Sequence, residues 1–198
     1  MATDSRGVSF HRNGEEEPRL LEVMKLFFLS RQVIAVTGGA GYGVLLCMNF
    51  QKYVREARLQ EFDDIAQCAL PFFRSQMETQ RRSYASSDRP DLDRLYVVLA
   101  GHIPQRSTAP FEFALLASEG PADPMRKVGT SNVVVIPRQP GFEYRLARLS
   151  PAESKPDDVE ALFEGFLRKT AALDDDVGPP FHFVRITSNG VEVRTHSN

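Results

Sequence analysis

Apolar residues gather first in two runs of strand length, 20–29 (Leu-Leu-Glu-Val-Met-Lys-Leu-Phe-Phe-Leu) and 32–37 (Gln-Val-Ile-Ala-Val-Thr), separated by the polar pair Ser30-Arg31. The spacing predicts a hairpin, and the near absence of alternation predicts strands covered on both faces. The period then changes. Leu45, Leu46, Met48, Phe50 and Tyr53 predict a helix over 41–57, and Phe62, Ile65, Ala66, Ala69, Phe73 and Met77 predict a second over 61–82. Pro71 falls inside the second and is expected to kink or split it, because it removes a backbone donor.

After a polar connection at 83–93, residues 95–101 and 111–118 read as another strand pair around Pro104 to Pro110. The β-branched run Val133-Val134-Val135-Ile136 predicts a strand within 128–138, and 142–149 reads as a further strand or a short helix. From Ser154, read as an N-cap, Asp157 and Asp158 suit a first helical turn, and Val159, Leu162, Phe163, Phe166, Thr170 and Leu173 form one apolar stripe. Strands at 181–187 and 191–194 close the pattern, turned by Ser188-Asn189-Gly190. The order is strands, two helices, strands, helix, strands. It contains no repeat or linker and predicts an α+β fold of one domain over 1–198, with a two-sheet core and helices outside.

Composition narrows the function classes. A chain of 198 residues with 42% hydrophobic residues and 14 Phe can bury a substantial core. A net charge of -2 with scattered basic residues argues against nucleic acid and acidic membranes as partners. No apolar run approaches the ~18 residues of a bilayer span. Two cysteines, Cys47 and Cys68, both in helical stretches, point to a reducing cytoplasm and to free, packed thiols.

The candidate chemistry lies in short motifs met in a fixed order: Thr3-Asp4-Ser5-Arg6, then Lys25-Leu26-Phe27-Phe28, then Thr37-Gly38-Gly39-Ala40 where the helix pair begins. After the late helix comes Asp174-Asp175-Asp176-Val177-Gly178. This series resembles the proteasome β-type subunits and their bacterial relatives, members of the N-terminal-nucleophile hydrolase superfamily, from Ala2 to about Thr187. The resemblance implies a four-layer αββα sandwich and amide hydrolysis by a threonine that is the first residue of the mature chain. By motif match, Lys25 lowers the cost of deprotonating that threonine, Asp4 holds Lys25 charged, and the Gly38 amide stabilises the oxyanion, with Asp174 a weaker candidate. It further implies assembly of identical copies into a ring, unfolded polypeptide as substrate, and no cofactor or metal.

Departures from the family pattern qualify the activity. The first strand with its leading threonine has no counterpart, so the expectation is a domain lacking that strand and its nucleophile. Thr3 belongs to the second strand and cannot substitute. The supporting Gly-Ser-Gly appears as Gly129-Thr130-Ser131, Val177 stands where the Ser of Asp-x-x-Ser-Gly-Gly would be, and Pro179 replaces its second Gly. A catalytically inactive ring or scaffold subunit is therefore the alternative to a peptidase lineage.

Other assignments compete for the same residues. Lys25 on its own fits an edge or snorkelling lysine, Asp4 a turn cap, and Gly38-Gly39 simple punctuation at a corner. The stretch from Thr37 to Gly43 is similar to a dinucleotide-binding turn, but Val44 stands where a glycine is needed, a hairpin precedes it, and no parallel βαβ repeat follows. Asp174 to Asp176 lack the alternating carboxylates and glycine of a calcium loop. His11, His102, His182 and His196 have no paired spacing, and Glu15-Glu16-Glu17 read as a solvated loop.

Overall fold

The computed structural model of the chain describes residues 1–9, 19–83, 94–120, 123–129, 132–136, 138–149 and 154–197. They carry four helices and ten strands in three sheets, a mixed α/β architecture. Two compact units result: Met24–Gly129 with Arg185–Glu192, and Met1–Val23 with Thr130–Val184 and Val193–Asn198.

The unit from Met24 holds an antiparallel sheet of five strands in chain order, β4 (Leu26–Phe28), β5 (Val33–Gly39), β6 (Leu95–His102), β7 (Phe111–Ser118) and β8 (Arg126–Val128). Leu26 pairs with Val36 and Phe28 with Ile34, so the predicted hairpin around residues 30–32 is present. Val33, Ile34 and Ala35 are all 0% exposed, as a strand buried on both faces requires.

Helices α1 (Tyr42–Glu56) and α2 (Phe62–Ser83) belong to the same unit. The buried face of α1 is Gly43, Leu46, Cys47, Phe50 and Val54, and that of α2 runs through Phe62, Ile65, Ala69, Phe73 and Met77, both at helical spacing. These residues join Phe27, Val33, Val97, Leu99 and Leu116 of the sheet in one apolar cluster. Leu45, Met48 and Tyr53, predicted as part of the α1 stripe, are instead exposed. Pro71 does not split α2, because it occupies an exposed position between residues anchored in that cluster.

β1 (Ala2–Thr3) pairs antiparallel with β9 (Phe181–Thr187), which is followed in the sheet by β10 (Gly190–His196), and the chain passes from one unit to the other after Val184 and back after Glu192. The Asn189-Gly190 turn is as predicted, with Gly190 at φ 140°. Strands β2 (Arg6–Ser9) and β3 (Arg19–Glu22) form a separate pair. The apolar run 20–29 is thus two strands, not one: β3 pairs with β2 and β4 with β5, and the division between the units falls after Val23.

Residues 132–136 form no strand. Val135 instead plugs a small apolar cluster with Phe142 and Leu146, against which Val133, Leu162, Phe163 and Phe166 pack. Residues 142–149 resolve the strand-or-helix question as helix α3 (Pro140–Ala147), begun by Pro140 in its first turn. Helix α4 (Pro156–Ala171) takes Lys155 as its N-cap rather than Ser154, since Pro156 fixes the first turn one residue later. Its stripe from Val159 to Thr170 is half-buried, and Leu173, beyond the helix end, is 81% exposed.

Candidate functional site

Strand β4 starts immediately after Lys25, and the ladder continues one step past it: the Thr37 N–H donates to the Lys25 carbonyl at 2.9 Å. Lys25 itself is half-buried at this sheet edge. Thr37 is buried, and its hydroxyl donates to the Tyr96 carbonyl at 3.2 Å. Beneath it lies Cys47, whose thiol burial pushes up to about 12 against the opposing pull of a hydrogen bond with Thr37. Such a thiol is a packing group, not a nucleophile.

Strand β5 ends in a turn that only glycine fits. Gly39 has φ 85°, and a Cβ there would overlap the Arg94 carbonyl. Ala40 N–H donates to that carbonyl at 2.6 Å, and Gly43 N–H returns to Ala40 at 2.8 Å as α1 begins. Around Gly38 a Cβ would meet nothing within 4 Å.

The phase of the ladders fixes where each amide points. Leu29 bonds Val33 and Thr37 bonds Lys25, so odd positions of β5 face β4. His102 bonds Gln32 and Ala40 bonds Arg94, so even positions face β6. The Gly38 amide therefore lies on the β6 side, opposite Tyr96, and the Gly39 amide is directed to the Lys25 edge. Nearby, Tyr96 donates its hydroxyl to Glu119 at 2.8 Å, and burial with that carboxylate pushes the phenol up to about 12.

Asp4 lies in the unit containing β1, where it accepts the Arg6 N–H at 3.1 Å in a local turn. Ser5 N–H donates to the Gly178 carbonyl at 3.3 Å, and the Arg6 guanidinium donates to the Asp175 carbonyl at 2.9 Å. Gly178 packs directly under that guanidinium, so a Cβ there would displace the Arg6 side chain. Two of the sequence motifs, Asp4-Ser5-Arg6 and Asp174 to Gly178, thus meet. Asp174 accepts the Asp176 N–H at 2.9 Å, an Asx turn after α4. Lys25 and Gly38 belong to the other unit.

No family model matches the sequence, and no curated protein was found to match it. Solved structures do match. Anbu from Hyphomicrobium sp. strain MC1 aligns over 99% of this chain and 82% of that one, with a TM-score of 0.55 at 14% identity. A chain of the Anbu complex from Pseudomonas aeruginosa, a helical assembly, aligns over 99% and 81% with a TM-score of 0.63 at 16% identity. The fold is shared with Anbu. This corrects the resemblance to proteasome β-type subunits: two solved structures that match over 99% of this chain are Anbu chains.

The Anbu likeness extends to the fold and leaves the roles of individual residues to chemistry. His11, Glu15 to Glu17, Thr130 and Ser131 lie outside the described residues. His182 Nδ1 sits 3.0 Å from the Thr195 hydroxyl, and His102 packs its ring on Phe111. Among the described residues, no group of three or more His, Cys, Asp or Glu is arranged to hold a metal ion, and no helix is long and apolar enough to cross a membrane. Sequence reasoning missed what Arg6 does, bracing the 175–178 loop, and which amide faces the Lys25 edge. Strand parity could have signalled the second only with the hairpin register known.

Proposed function

We propose that this chain is a proteasome-related subunit with an Anbu-like, N-terminal-nucleophile-type fold, of threonine-peptidase ancestry, that assembles with copies of itself in the cytoplasm. One observation carries the reading: the alignment of 99% of the chain with an Anbu subunit whose complex is a helical assembly. In finer detail the domain is a four-layer αββα sandwich acting on unfolded polypeptide. Asp4 and Lys25 are its ionic support, and the Gly39 amide, directed to the Lys25 edge, is its oxyanion donor in place of the Gly38 amide, which faces β6, with Asp174 shaping the loop beside Arg6.

The chemistry this frame serves is ordinary acyl transfer. A threonine hydroxyl attacks the amide carbonyl as its own amine takes the proton, the tetrahedral oxyanion rests on a backbone N–H, the C–N bond breaks as the proton passes to the departing amine, and water hydrolyses the resulting ester to free the acid and the threonine. A lysine held cationic by a carboxylate eases the proton transfer. Thr3 does not supply the nucleophile: it is buried in β1 opposite His182 and its hydroxyl donates to the Asp4 carbonyl at 3.1 Å. The alternative reading is a catalytically silent scaffold that keeps the frame.

Native mass spectrometry, run beside treatment with an electrophile directed at N-terminal threonine and a panel of fluorogenic peptides, separates these readings. Multimers with labelling and turnover support the peptidase. Multimers without either select the scaffold, and a monomer at micromolar concentration contradicts both.

A further inference from the structure

In the unit that holds α3 and α4, two exposed patches of opposite charge each surround an apolar side chain. The first is the outer face of α3, away from the buried Phe142 and Leu146. Tyr144 there is 63% exposed, and Arg148, one turn later, donates to its hydroxyl at 3.1 Å with the guanidinium 5.5 Å from the ring centre. Arg145 is exposed beside them, while Arg138 is taken up by Glu143 at 2.9 Å. Among the described residues no carboxylate pairs with Arg145 or Arg148.

The second patch follows α4. Leu173 is the most exposed large apolar side chain among the described residues, and Asp174, Asp175 and Asp176 come directly after it, all exposed. Asp174 is turned onto the Asp176 amide, and the Arg6 guanidinium donates to the Asp175 backbone carbonyl rather than to a carboxylate. The C-terminal end of α4 adds the negative pole of its dipole at the same place. Among the described residues no ion pair joins the acidic patch to the basic one within a copy.

We propose that the two patches dock on each other between copies of this chain, the 173–176 segment of one copy seated on Tyr144, Arg145 and Arg148 of the next. Leu173 against the tyrosine ring withdraws apolar surface from water at the centre, and Asp175 and Asp176 meet the two arginines around it. Arg148 already lies over Tyr144, so it loses little rotamer freedom on docking. Because the patches are different surfaces, the contact is head-to-tail, which closes a ring or runs on as a helix. The inference rests on the proposed assembly of identical copies and names the surfaces that make it.

Two charge-reversed forms of the full chain test it, Arg145→Glu with Arg148→Glu, and Asp175→Lys with Asp176→Lys, each followed by light scattering on a sizing column. Either form alone sets like charges against each other, and its dissociation constant is expected to rise about 10- to 100-fold over wild type. Mixed in equal amounts, each form offers the complement of the other at both patches, and multimers of wild-type size return. That recovery also requires both forms to be folded. In wild type alone, raising sodium chloride from about 0.1 M to about 1 M weakens the same assembly, since charge screening shortens to about 3 Å. Multimers that persist in either form alone, forms that stay apart on mixing, or wild-type multimers indifferent to salt overturn the contact while leaving assembly through another surface intact. A monomeric wild type overturns the contact and the proposed assembly together.

Discussion

Neighbouring glycines at the end of β5 carry different duties. Gly39 sits at φ 85° with the Arg94 carbonyl where a Cβ would go, while Gly38 is surrounded by open space. Gly39→Ala is expected to cost about 1–3 kcal/mol of unfolding free energy in urea titrations, and Gly38→Ala less than about 1 kcal/mol. If the chain is catalytic, activity follows the same ranking, because the Gly39 amide is the one directed to the Lys25 edge. Ser5 makes the opposite case. Its hydroxyl is buried without a hydrogen-bond partner among the described residues, so Ser5→Ala should leave stability unchanged or raise it by up to about 1 kcal/mol, and a measurable loss would mean the hydroxyl has a partner after all. Candidate residues were legible where glycines and charges interrupt apolar runs, as at Lys25 and Gly38-Gly39. Which backbone donor they present was not, since amide direction depends on a register that composition does not encode.

Helices and strands answered to packing more than to propensity. The pairs β4–β5, β6–β7 and β9–β10 and the helices α1, α2 and α4 all follow from the spacing of apolar residues. The failures share a cause. Val133 to Ile136 have strong strand propensity, yet Val133 and Val135 go into the α3–α4 cluster, where filling space matters more than adding a ladder. The run 20–29 is continuous in hydrophobicity, but its halves pair with different strands, a division no periodicity marks. In α1, Phe50 is 0% exposed and touches Tyr53, Phe72 and Phe73 with ring centroids 6.2, 5.0 and 5.0 Å away. Phe50→Ala should therefore cost about 3–5 kcal/mol, whereas Met48→Ala, two residues earlier on the exposed face, should cost less than about 1 kcal/mol in the same denaturation experiment.

At the scale of the molecule, the fold is shared with Anbu, and the proposed function draws on Lys25 and the β5 turn in one unit, on Asp4 in the other, and on proposed assembly with identical copies. Two of these parts are built locally: Asp4 with its Arg6 turn, and Lys25 across the ladder from Thr37. If Lys25 supports a threonine nucleophile, Lys25→Ala abolishes electrophile labelling and peptide turnover while native mass spectra keep the same copy number. A scaffold shows no change in either. The most direct measurement is an experimental structure of the purified protein by electron cryo-microscopy. Repeating copies of this chain are expected, with Lys25 in register with Thr37 at the β4–β5 edge. A lone monomer would contradict the proposed function.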